Sequence, residues 1–245
     1  MRIGIAQTKP VKGDFPANIE AHLRCIALAS TVQTEALFFP ELSLTGYELA
    51  LANALATDQD DVRLAILQRT SDDQGVIIGA GLPTRSGADV RISMVIFEPY
   101  RPRRTYSKQH LHVDEYPYFQ PGVGQVMIDS ATGVIAPAIC FESLLPAHAA
   151  NAFHLGADVY LASVSKSEQG VAKAYGHYST IAKQYGRPVL MCNSIGPSDN
   201  FVSGGKSAVW TGHGILAAQL SRDEEGILVF DTVTEEVDLI RISSK

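Results

Sequence analysis

Short apolar runs alternate with amphipathic stretches along most of this chain. Residues 3–6, 36–39, 76–80, 92–97, 134–139, 159–162 and 189–192 are dominated by Ile, Val, Leu, Phe and Ala between turn formers, the pattern of buried strands. Residues 105–108 read as a further, more polar strand. Helical spacing appears over 15–30, where Ile19, Leu23, Ile26 and Leu28 fall on or near one face. A second helix is expected around Val62, Leu64, Ile66 and Leu67, started by the acidic stretch 58–61. Two more are expected at 146–155, ended by Gly156, and at 172–185, closed by Gly186 and Pro188. Residues 207–242 carry β-rich runs and almost no helix signal.

Strands whose whole length is apolar are covered on both faces, so alternating strands and helices imply sheets flanked by helices, an α/β fold. The adjoining runs 76–80 and 92–97 look antiparallel, which argues against a purely doubly wound sheet. No linker, repeat or low-complexity segment breaks the chain, so a single domain over 1–245 is expected.

Composition narrows the function. Hydrophobic residues make up 46% of the 245 positions and charged ones 19%, with a net charge of −6. That is an ordinary globular balance, and an acidic chain is a poor default partner for nucleic acid or an anionic membrane. The one dense basic stretch, Arg101, Arg103 and Arg104 beside Pro102, reads as a solvated turn between two strands. Three cysteines at irregular spacing do not make a disulfide framework. The opening apolar run is too short for a signal peptide, and no stretch nears the roughly 20 apolar residues that span a bilayer. A cytoplasmic protein is the expectation.

Three buried-looking strands run into an unexpected polar residue: ALFFP into Glu41, RTYS into Lys108 and VIAPAI into Cys140. Carboxyl ends of strands are where α/β proteins gather their sites. Taken singly, each has an ordinary explanation. Cys140 could be an inert buried thiol, as Cys25 and Cys192 are read to be. Glu41 could sit at a helix start, Lys108 could reach out to water, and Glu115 could be one more loop carboxylate. Their joint placement is the signal. His110 and His112 share a face if extended, but no HExxH or paired CxxC accompanies them, and no metal or cofactor is expected. A Cys–His pair using His177 or His213 is conceivable, without the local signature of papain-like enzymes. GxSxG, GxGxxG and phosphate-loop motifs are absent.

Together these residues resemble the nitrilase, or carbon–nitrogen hydrolase, superfamily. RIGIAQTKPVKGDFPANI resembles its first strand and helix. FPELSLTGYE (39–48) resembles the segment of its general base, YSKQHL (106–111) that of its lysine, and DEYPYFQPG (114–122) that of its second glutamate. AICFESLLP (138–146) resembles the nucleophile segment, and GADVYLAS, CNSIG and SGGKS follow in the family's order. The chain departs from the common pattern in having Glu142 where many members have aspartate, Leu145 before Pro146, and WTGHG near the late turn.

The resemblance implies a four-layer α-β-β-α sandwich and a homodimer. It implies a cysteine-dependent hydrolase of a non-peptide carbon–nitrogen bond, with Cys140 as nucleophile, Glu41 as base, Lys108 on the oxyanion and Glu115 orienting substrate or lysine. Tyr47, Tyr116, Phe141 and Glu142 are expected to bind the substrate, and Tyr118 is a further candidate. A small carboxamide leads, with N-carbamoyl compounds and nitriles as alternatives. Lys166, Lys173, Lys183 or Arg187 could meet a substrate carboxylate. An acyltransferase or a non-catalytic binding protein of the same fold is the reading from another class.

Overall fold

The computed structural model describes residues 1–242. The first half contains β1 (Arg2–Gln7), α1 (Phe15–Ser30), β2 (Ala36–Phe38), α2 (Ala52–Leu55), α3 (Ala65–Gln74), β3 (Ile77–Ser86), β4 (Asp89–Phe97) and β5 (Arg104–Ser107). Next come β6 (Ile128–Ser130), β7 (Gly133–Ile139), α4 (Pro146–His154), β8 (Val159–Val164), α5 (Glu168–Tyr185) and β9 (Val189–Asn193). The remainder is all β: β10 (Ile195–Ser198), β11 (Phe201–Gly204), β12 (Ala208–Trp210), β13 (Leu216–Gln219), β14 (Gly226–Asp231) and β15 (Val237–Arg241).

Two sheets form. A seven-stranded sheet has the order β15-β14-β1-β2-β3-β4-β5, and a six-stranded sheet the order β13-β12-β9-β8-β7-β6. β1, β2 and β3 are mutually parallel, as are β7, β8 and β9, while the flanking strands pair antiparallel. Side chains on a strand alternate between faces, and here both faces are apolar. Ile3 and Ile5 of β1, Leu228 and Phe230 of β14, and Val159 and Leu161 of β8 meet in one core between the sheets. Ala6, Ile227 and Val229 turn the other way, against α1 and α3. Tyr160, Ala162 and Val164 do the same against α4 and α5. Three cores separate four layers, which is the expected α-β-β-α sandwich. Each such Ile, Leu or Phe contributes about 1.5–3 kcal/mol by leaving water.

The element boundaries explain themselves locally. The Asp14 side chain accepts a hydrogen bond from Ala17 N at 3.0 Å, capping α1 at its expected start. The helix expected around 62–67 divides, because Asp61 caps Arg63 N at 2.8 Å and gives a short 3₁₀ turn, Val62–Leu64, ahead of α3. α5 begins at Glu168, four residues earlier than its apolar spacing indicated, because Ser167 Oγ accepts from Gly170 N. β3 and β4 run well past the apolar runs as one long antiparallel hairpin. The arginine stretch does lie in the β4–β5 connection, with Arg104 Nε donating to Glu98 at 2.7 Å as β5 begins. Among the described residues no helix is long and apolar enough to cross a membrane.

Candidate active site

Glu41 leaves the end of β2 in a tight turn, with Leu42 at φ +53°. The turn lies flush against β3: a Cβ on Gly81 would come within 2.4 Å of Leu42 N and 2.6 Å of the Pro40 carbonyl oxygen. Only glycine permits that approach. Lys108 follows β5, its carbonyl accepting from Gly122 N at 2.7 Å. The Pro121–Gly122 segment packs so closely here that a Cβ on Gly122 would meet Ser107 O at 2.2 Å. Cys140 follows β7 and starts a 3₁₀ turn, Cys140–Leu144, at φ +49°. Such a conformation is strained for a residue with a Cβ and turns the thiol out of the strand's line. Glu41, Lys108 and Glu115 therefore hang from the seven-stranded sheet and its loops, and Cys140 from the six-stranded sheet. Hydrogen bonds cross the seam beside them: Ser163 Oγ donates to Phe39 O at 2.7 Å, and Cys192 Sγ to Ala6 O at 3.2 Å and Phe38 O at 3.3 Å.

Lys108 is fully buried, and its Nζ donates to Glu41 Oε1 at 2.8 Å and Glu115 Oε1 at 2.6 Å. Both oxygens of Glu115 are paired, since Tyr47 Oη also donates to Oε1 and His112 N donates to Oε2. Those of Glu41 are not. Its Oε2 is buried without a hydrogen-bond partner among the described residues. Burial pushes the Glu41 carboxyl up to about 7, against the pull of Lys108 and with a further push from Glu115. Burial alone would lower the Lys108 ammonium, but Glu41, Cys140 and Glu115 outweigh it and hold it charged. The Cys140 thiol is raised to about 11 by burial and then by Glu41, with Lys166 and Lys108 pulling it down.

A cavity of about 450 Å³ opens onto Cys140, a size that suits a small molecule. Tyr47, Phe141, Leu144 and Phe201 supply its apolar wall, and Lys166 a cation. Tyr47 and Phe141 thus sit where the sequence put them. Tyr116 and Tyr118 do not: they are exposed and lie outside the cavity wall.

Glu142 is also not on the wall. It is buried behind Cys140, where Oε1 accepts from Ile139 N at 2.7 Å and Tyr106 Oη at 2.6 Å. Its Oε2 accepts from Gln109 N at 2.6 Å and His110 N at 3.2 Å. One carboxylate so joins the residue before Cys140 to the residues after Lys108. Burial raises its pKa, and the Tyr106, Ile139 and Gln109 hydrogen bonds oppose that. His148 continues the network to Tyr106 and Tyr160, and burial pushes its imidazole down to about 4, leaving it neutral beside Glu142.

Of the histidines considered with the thiol, His177 donates to Ser143 O at 3.2 Å, and His213 lies beyond β12, away from the cavity wall. Among the described residues no group of His, Cys, Asp and Glu is placed to hold a metal ion. Among the sequence candidates for a substrate cation, Lys166 alone reaches the cavity wall.

The carbon–nitrogen hydrolase family model matches residues 2–242, and the chain belongs to that family. It is 26% identical over 247 residues to a glutamine-dependent NAD(+) synthetase of Thermotoga maritima, covering 96% of this chain and 42% of that protein. It is 27% identical over 167 residues to the omega-amidase YafV of Escherichia coli K12, covering 66% of this chain and 63% of that one. The chain thus spans less than two thirds of the length of either relative. Among solved structures, an amidase of the nitrilase superfamily from Nesterenkonia AN1 superposes with a TM-score of 0.87 at 21% identity, covering 96% of this chain and 92% of that one. That likeness is one of fold.

Proposed function

We propose that this protein hydrolyses a small carboxamide through a thioester on Cys140, releasing ammonia or an amine. The observation that carries the reading is a buried acceptor without a partner among the described residues, Glu41 Oε2, in the same cluster as a thiol and a lysine held by two carboxylates. An elevated carboxyl is matched to proton transfer near neutrality, where an ordinary glutamate is a weak base. Glu41 takes the thiol proton, and the sulfur attacks the carbonyl carbon. Lys108 and the Phe141 backbone N–H, at the free start of the 3₁₀ turn, stabilise the oxyanion. Glu41 returns its proton to the departing nitrogen, then draws one from water, whose hydroxide opens the thioester to the acid, and passes that proton back to the departing Cys140 sulfur. Glu115 holds Lys108 in place. The names of the curated relatives, a glutamine-dependent synthetase and an omega-amidase, support an amide over a nitrile.

Ammonia release from a panel of carboxamides, N-carbamoyl compounds and nitriles tests this, with Cys140→Ala as control. Release from carboxamides that disappears in Cys140→Ala is expected. Release confined to another class moves the substrate assignment, and release that survives in Cys140→Ala removes the nucleophile. We further propose one hydrolase domain over residues 1–245, acting as a homodimer in the cytoplasm; a monomer by light scattering would exclude the dimer.

A further inference from the structure

We propose that the Lys166 ammonium is the counter-ion of the Cys140 thiolate, a catalytic charge additional to Glu41, Lys108 and Glu115. This rests on the reading of Cys140 as nucleophile. Lys166 Nζ lies 3.7 Å from Cys140 Sγ, touching the atom that reacts. The residue is 8% exposed, and among the described residues no carboxylate lies within ion-pair distance of it. A lysine usually extends its stem until the ammonium reaches water. Here the backbone fixes the direction instead. Lys166 N donates to Asn193 Oδ1 at 2.8 Å, and Lys166 O accepts from Asn193 Nδ2 at 3.1 Å and Gly204 N at 2.8 Å.

The charge balance of the cluster shows why the sulfur needs its own cation. Lys108 is already divided between Glu41 and Glu115. When Glu41 accepts the thiol proton, the S–H bond breaks, an O–H bond forms, and the electron pair stays on sulfur. The negative charge has then moved from a carboxylate in contact with Lys108 to an atom in contact with Lys166. That pair next attacks the acyl carbon, and the sulfur becomes neutral again. Other titratable groups around the pair are Tyr47 after β2, Lys108, His112, Asp114 and Glu115 around the β5 loop, and His177 and Tyr178 on α5. Among them only Lys108 adds a second permanent positive charge, and it is committed to the glutamates.

The test is the pH dependence of Cys140 alkylation by iodoacetamide, followed by peptide mass, in wild type, Lys166→Met and Lys166→Arg. An opposite charge this close shifts a titration by about one to three units. The Lys166→Met midpoint is expected to move about one to two pH units alkaline, with alkylation at neutral pH slowed roughly 10- to 100-fold. Lys166→Arg should stay near wild type. Amide turnover in Lys166→Met should fall for uncharged and acidic amides alike. Lys166→Gln makes the same comparison if the methionine variant does not fold. An unmoved profile in a folded variant overturns the proposal. So does a loss confined to acidic amides, which would assign Lys166 to a substrate carboxylate. If Cys140→Ala still turns over substrate, the nucleophile reading fails; if that variant is dead and the profile is unmoved, the counter-ion alone fails.

Discussion

Replacing Glu142 with leucine should unfold much of the site while keeping the side-chain volume nearly constant. The carboxylate accepts four hydrogen bonds, from Ile139 N, Tyr106 Oη, Gln109 N and His110 N. Leucine leaves Ile139 N with no acceptor, removes the side-chain acceptor of Gln109 N and His110 N, and leaves Tyr106 Oη only His148 Nε2 to donate to. A buried donor left unpaired costs about 1–3 kcal/mol. The Ile139 and Tyr106 bonds are fully buried, whereas those from Gln109 and His110 are partly reached by solvent and count for less. The loss is therefore about 3–5 kcal/mol, a large part of the roughly 5–15 kcal/mol that holds a domain folded. Urea unfolding followed by circular dichroism measures it, as a lower midpoint at unchanged slope. Glu142→Gln keeps one acceptor oxygen and should lose less. A Glu142→Leu protein within about 1 kcal/mol of wild type, with KM raised and kcat intact, would refute the reasoning and return Glu142 to the substrate.

Three further outcomes follow from the site's geometry. The kcat/KM profile should have an acid limb centred near the Glu41 value of about 7, because the base must be ionised; a limb near the ordinary 4.5 would contradict it. Stability should move the opposite way. A carboxyl raised in the folded state binds its proton more tightly there, so its contribution is complete below 4.5 and is lost as pH rises through about 7. Denaturation at about pH 5 and about pH 8 in wild type and Glu41→Gln isolates that slope, which should vanish in the variant. Gly122→Ala drives a Cβ to 2.2 Å from Ser107 O, backbone that cannot step aside. It should cost about 1–3 kcal/mol and lower kcat by displacing Lys108, as thermal unfolding and steady-state rates would show; an unaffected variant would mean the loop yields freely.

The strand cores were readable because both faces of β1, β2 and β7–β9 are buried, which writes uninterrupted apolar runs into the chain. The runs of β2 and β7 made Glu41 and Cys140 conspicuous as polar residues at strand ends, and Lys108 joined them at the end of the more polar β5. The β10–β11 hairpin carries no such run: IGPSDNFVSG mixes Gly, Pro and Ser with single apolar residues, and its pairing depends on what it packs against. The short helical turns over 49–55 lack a full period to read. Lys166 was visible only as one cation among four, since it stands beyond the end of β8 and nothing in the sequence reveals that Asn193 clamps its backbone. Glu142 and Tyr116 were misplaced for one reason. Adjacency to Cys140 or Glu115 along the chain does not say which way a side chain points once a 3₁₀ turn or loop intervenes.

The seam between the sheets has a mechanical consequence. Glu41 is mounted on one sheet and Cys140 on the other, so their alignment is set by how the two slabs lie against each other. A substitution deep in the shared interior, at Leu161 or Leu228, can slide one slab relative to the other without unpairing a strand. Turnover is then a finer gauge of that interior than any melting curve, and the packing of residues remote from the cavity becomes part of the catalytic apparatus.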